Sequence, residues 1–191
     1  MKIGLFFGSF NPVHHGHMIL ANYMLEFTDL DKIWFVVSPH NPLKEKSSLL
    51  ADHHRLEMVT RAIGDHPKLK ASDIEFRLTQ PSFTINTLAH LSEKYPDVQF
   101  ALIMGADNLQ TLHKWKNYEQ ILAQYSIYVY PRPGVHQVDL LQHINVIYTE
   151  APLMDISSTF IRQGIKAGKD MRYFIPTEAF QYLEEMHFYK K

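Results

Sequence analysis

Ile3-Gly-Leu-Phe-Phe7 runs directly into Gly8-Ser-Phe-Asn-Pro-Val-His14-His-Gly16-His17, and the fold is decided at this junction. The short apolar run reads as a strand buried on both faces, the pattern of a parallel-sheet interior. Gly8 and Pro12 mark a tight turn. Residues 17–27 then carry the spacing of an amphipathic helix, after a break at Gly16. Outward from here, Lys32-Ile-Trp-Phe-Val-Val-Ser38 is a second continuous apolar run, bounded by Pro39 and Pro42, and suits a central parallel strand.

The rest of the chain keeps the alternation. A helix over 52–63 is expected to be capped by Asp52 and ended by Gly64 and Pro67. A strand over 69–76 follows, then a helix starting at Ser82 or Thr84 and ending near Lys94. Residues 98–104 form a strand ending at Gly105, with a short helix over 108–112 and another over 118–124. Strands at 126–130 and 145–148 flank Pro131-Arg-Pro-Gly134, and helices over 158–167 and 177–186 close the chain. This order predicts an α/β fold: a Rossmann-like, doubly wound, mostly parallel sheet with helices on both faces and a small helical C-terminal part. A single domain over 1–191 is expected, with ligands at the carboxyl ends of the strands where strand order reverses.

Composition narrows the function. The 191 residues are 46% hydrophobic and 20% charged, with a formal net charge of −1, an ordinary globular balance. That charge gives no global basic field for nucleic acid, so an anionic ligand has to be held by local groups. The absence of cysteine removes disulfides, thiolate catalysis and Cys-ligated zinc. No apolar run approaches the ~18 residues of a membrane span. A cytoplasmic protein without membrane or nucleic-acid partners is the expectation; a homo-oligomer is left open.

Two motifs carry chemistry. Gly8 lets the backbone approach a phosphate, and the helix N-terminus beyond offers unpaired N–H donors. His14 and His17 share a face there, with Gly16 leaving that face uncrowded, and His15 points elsewhere. Two imidazoles beside an anion can donate to oxygens that gain charge during phosphoryl or nucleotidyl transfer. A pair of histidines capping a helix is the plain alternative. A catalytic zinc site normally needs a third protein ligand, and none lies near; no protein-held metal is expected. The second motif is Ile156-Ser-Ser-Thr-Phe-Ile-Arg162. Ser157, Ser158 and Thr159 cluster at a helix start with Arg162 one turn on, a compact polyphosphate cradle whose plain alternative is an N-cap with a surface arginine.

The two motifs together resemble the HxGH nucleotidyltransferase superfamily, and within it the bacterial nicotinate-mononucleotide adenylyltransferases. Pro81-Ser-Phe-Thr84-Ile-Asn-Thr-Leu88, Gly105-Ala-Asp107, Trp115 and Arg132-Pro-Gly134 follow in the family's order. Phe7 stands where many members carry another glycine, and Ser38-Pro-His-Asn-Pro-Leu-Lys44 departs from the commoner Pro-Pro-His-Lys. The resemblance implies adenylyl transfer from ATP to nicotinate mononucleotide, giving deamido-NAD and pyrophosphate in NAD biosynthesis. It implies that His14, His17 and Arg162 are catalytic, and that Gly8, Ser9, Phe10, Lys44, Ser157, Ser158, Thr159 and Arg162 hold ATP, residues 155–191 completing that site. Thr84, Gly105, Asp107, Trp115 and Arg132 are assigned to the acceptor. Mg²⁺ is expected to ride on ATP, bound by substrate oxygens and water without a dedicated protein cage. Other acceptors fit the same phosphate machinery: the nicotinamide mononucleotide in addition, or pantetheine phosphate. A non-catalytic nucleotide sensor is the reading from another class, and retention of His17 and Arg162 speaks against it.

Overall fold

A computed structural model describes residues 1–39, 49–135 and 139–190. Six strands form its sheet: β1 (Lys2–Gly8), β2 (Lys32–Val37), β3 (Leu69–Ser72), β4 (Gln99–Gly105), β5 (Ser126–Tyr130) and β6 (Val146–Tyr148). Every pairing is parallel, where the sequence reading expected mostly parallel strands, and the order is β3-β2-β1-β4-β5-β6. The chain winds from β1 out to β3, then crosses back to β4 on the other side of β1. Strand order therefore reverses between β1 and β4, which opens a crevice at their carboxyl ends.

Alternation along the strands explains why their sequences read as unbroken apolar runs. Ile33, Phe35 and Val37 of β2 face one side, and Trp34 and Val36 face the other. On the first side they meet α1 (His15–Phe27) and α2 (Asp52–Ile63), with α6 (Ser158–Lys166) and α7 (Thr177–Glu185) joining the same core through Ile161, Ile165, Ala179 and Leu183. On the second side lie α3 (Thr84–Lys94), α4 (Ala106–Gln110) and α5 (Tyr118–Gln124), packed through Leu88, Leu109 and Ile121. With helices on both faces, neither parity of residue can be polar. No helix among the described residues is long and apolar enough to cross a membrane.

The short helix expected over 108–112 runs Ala106–Gln110, and three further local expectations change. Helix α1 starts at His15, not His17, because His14 is its N-cap in an extended conformation, φ −147° and ψ 168°. Ala51 rather than Asp52 is the N-cap of α2, since the Asp52 carboxylate is drawn onto Arg55. The strand expected over 69–76 stops at Ser72, whose hydroxyl accepts from the Ile74 N–H at 3.4 Å. A 3-10 turn, Ile74–Arg77, takes over and tucks Glu75 inside.

Candidate active site

The turn after β1 is shaped by its own side chains. Phe10 has a φ of 45°, in the left-handed region, and its ring folds back over Gly8. A Cβ on Gly8 would sit 2.9 Å from that ring, so packing demands this glycine in addition to any open backbone it offers. Phe10 itself is 2% exposed and stands edge-on to His17, ring centroids 5.0 Å apart.

His14 and His17 flank the first turn of α1 as N-cap and third helical residue. The backbone N–H of His14 donates to Nδ1 of His17 over 3.2 Å, and the two rings stack with centroids 3.7 Å apart. A Cβ on Gly16 would come within 3.0 Å of His14 Nδ1; the glycine leaves room for the imidazole lying across it. Since Nδ1 of His17 accepts, a neutral ring must carry its proton on Nε2. Burial pushes His14 from the ordinary 6.5 down to about 4, helped by Arg132 and His15. His17 is held well below the ordinary range by burial, then by His14 and Arg132. Both rings are neutral at pH 7. His14 Nδ1 is buried with no hydrogen-bond partner among the described residues.

The second motif meets this turn directly. Ser157 is the N-cap of α6, its Oγ accepting from the Phe160 N–H at 3.2 Å. Ser158 Oγ donates to the Pro12 carbonyl at 2.9 Å. Arg162 donates through Nη1 to the Asn11 carbonyl at 2.7 Å and through Nη2 to Thr159 Oγ1 at 3.2 Å, which leaves three of its five N–H donors for other partners. Asn11 is the hub: buried, its Oδ1 accepts from the Leu50 N–H at 3.2 Å and the Tyr189 hydroxyl at 2.7 Å.

His14, His17, Asp107, Arg132, Ser157 and Ser158 line one cleft of about 210 Å³ at the strand-order reversal. Asp107 and Arg132 pair at 3.6 Å, both partly exposed, so the pair adds little stability. A Cβ on Gly105 would collide with Asp107 Oδ1 and stand 2.8 Å from Arg132 Cγ. Tyr130, also on the cleft wall, is pushed up to about 12 by burial and stays a phenol. Thr84 and Trp115 lie outside that lining, as do Gly8, Ser9, Phe10, Gly105, Thr159 and Arg162. Thr84 opens α3, and half-buried Trp115 packs on the second core. Phe83 and Lys116 bring their segments together, the ammonium 4.6 Å from the ring centre. Lys44 lies outside the described residues. Among the described residues, no group of three or more His, Asp or Glu could hold a metal.

Arg55 escaped the sequence reading. Its side chain is fully buried, donating through Nη1 to the carbonyls of Ser9 at 2.6 Å and Ser38 at 2.7 Å, and through Nε to Leu50 at 3.0 Å. One guanidinium thus pins the turns after β1 and β2 together. The only signal was Asp52 three residues before it, a spacing that equally describes a surface ion pair.

The family model for cytidylyltransferase-like proteins matches residues 5–164. A probable nicotinate-nucleotide adenylyltransferase of Flavobacterium johnsoniae is 56% identical, covering 100% of each chain. One from Bacteroides fragilis is 48% identical, covering 91% of this chain and 87% of its own. Among solved structures, the Plasmodium falciparum nicotinic acid mononucleotide adenylyltransferase complexed with NaAD is similar in fold, with a TM-score of 0.83 and 19% identity over 98% of this chain and 97% of its own.

The buried imidazoles set a pH dependence. Unfolded, His14 takes up a proton near 6.5, but folded only near 4. Its contribution is present in full above 6.5 and is lost as the pH falls toward 4. Thermal unfolding recorded between pH 7 and 4 is expected to show Tm falling across that window, with a shallower fall in His14→Asn. An identical slope in the variant would place the proton uptake elsewhere.

Proposed function

We propose that this chain, which belongs to the cytidylyltransferase-like family and within it to the nicotinate-nucleotide adenylyltransferases, moves the adenylyl group of ATP onto nicotinate mononucleotide as follows. A phosphate oxygen of the mononucleotide attacks the α-phosphorus of ATP. The bond from that phosphorus to the bridging β-oxygen breaks, pyrophosphate leaves, and deamido-NAD remains. The attacking oxygen is already anionic at neutral pH, so no base is needed to free it. The protein's task is to place the two phosphates in line and to stabilise the charge that develops between them.

One observation carries this reading: His14, Gly16 and His17 of one end motif and Ile156, Ser157 and Ser158 of the other line a single cleft at the strand reversal. His17 Nε2–H, neutral and fixed by the bond to its Nδ1, donates to a non-bridging oxygen of the transferring phosphorus. His14 stacks beside it and faces the same triphosphate. The first N–H groups of α6, with Ser157, Ser158, Thr159 and Arg162, take the β- and γ-phosphates. Ser9 and Phe10 shape the floor of the turn, and Gly105 keeps Asp107 and Arg132 close to the sugar and phosphate of the acceptor. Thr84 at the start of α3 reads the acceptor's carboxylate, and Trp115 stacks its ring. When bound with ATP, Mg²⁺ would be held by substrate oxygens and water and would neutralise phosphate charge; among the described residues the cleft wall offers one carboxylate, Asp107, and it is paired with Arg132.

The test is an acceptor panel with magnesium and ATP, following pyrophosphate. Release with nicotinate mononucleotide is expected, with the nicotinamide form much poorer. No release with either would refute the assignment, and release with pantetheine phosphate would move it to a sibling activity. In the same panel His17→Ala is expected to lose about 100-fold or more in turnover while keeping its fold, the scale of a lost oxyanion donor.

A further inference from the structure

Glu75 is 3% exposed, yet it lies neither in the cleft lining nor in any motif read from the sequence. It sits in the 3-10 turn after β3, and Thr87 Oγ1, one turn into α3, donates to its Oε1 at 2.9 Å. The hydroxyls of Ser38, immediately after β2, and Ser82, just before α3, act on the same carboxyl group and favour its charged form. The Gln80 side chain closes the bracket, donating to the Glu75 carbonyl at 2.8 Å and accepting from the Ser82 N–H at 3.2 Å. Burial pushes the Glu75 carboxyl up, against its three hydroxyl partners, and among the described residues no cation pairs with it. An apolar side chain of similar volume would fill the site at less cost. What the carboxyl group does uniquely is gather three hydroxyls from three segments.

Those segments are the ones the reaction has to keep in register. Ser38 belongs to the phosphate side, since its carbonyl accepts from Arg55, which also holds Ser9, and its N–H donates to the Gly8 carbonyl at 2.9 Å. Ser82 and Thr87 bracket Thr84. We propose that Glu75 is a positioning residue for the acceptor, fixing the first turn of α3 against the end of β2 so that the Thr84 N–H meets the acceptor's carboxylate. This rests on the assignment of Thr84 made above.

Steady-state kinetics of Glu75→Gln and Thr87→Val, with thermal unfolding of each, test it. In both variants KM for nicotinate mononucleotide is expected to rise about tenfold, KM for ATP to stay within twofold, and Tm to stay within a few degrees. The double variant should rise no further than Glu75→Gln alone, because the contact that Thr87→Val removes is one of those the Glu75 change disturbs. An unchanged acceptor KM in folded variants would overturn the inference alone. So would an equal rise in both KM values, the mark of general loosening. Absence of transfer to nicotinate mononucleotide by the wild-type protein would instead overturn the acceptor assignment, and this inference with it.

Discussion

A single hydrogen bond, from the His14 backbone N–H to Nδ1 of His17, sets the chemistry of this cleft. It satisfies a donor at the start of α1 that has no partner within the helix, so the helix is capped by its own third residue. It also fixes which nitrogen of His17 bears the proton. The ring is left presenting Nε2–H, a neutral donor that does not exchange its proton with substrate. Gly16 makes this possible, because any side chain there would press on the stacked His14 ring. Helix capping therefore leaves the histidine pair able to act in the cleft as well. One nitrogen of His17 caps the helix, and the other faces the site.

That arrangement needs a rigid turn beneath it, and the chain supplies one from distant parts. Arg162 and Tyr189 come to Asn11 across 151 and 178 residues, and Ser158 reaches Pro12 across 146. Arg55 holds the adjoining carbonyls from the other side. Hydrogen bonds converging on buried groups such as Asn11 and Arg55 specify one arrangement more than they add stability. The C-terminal segments thus brace the N-terminal turn directly, which brings the two end motifs to one cleft.

The sequence made much of this legible for identifiable reasons. Strands buried on both faces leave unbroken apolar runs, so β1, β2 and β4 stood out, as did the alternation that implies parallel pairing. Gly16 flagged the room that the His14 ring needs, whereas the packing of Phe10 on Gly8 and of Asp107 and Arg132 around Gly105 was visible only in the structure. The convergence of His14, His17, Ser157 and Ser158 on one cleft followed from motif and resemblance together. Arg55 and Glu75 were not legible, because burial decides their roles and a charged residue near a helix start ordinarily reads as surface. The N-cap of α2 was misread for the same cause: Asp52 looked like a cap until a buried guanidinium claimed it. The early end of β3 was hidden because the apolar pattern over 69–76 continues through a turn that changes backbone but not hydrophobicity.

The central claim is that His17 works as a neutral donor with its proton on Nε2. Nitrogen-resolved NMR of the imidazole rings in the free protein at pH 7 reads this state without reference to turnover. A neutral His17 ring with Nε2 protonated and Nδ1 bare is the result predicted. An imidazolium, or a proton on Nδ1, would contradict it.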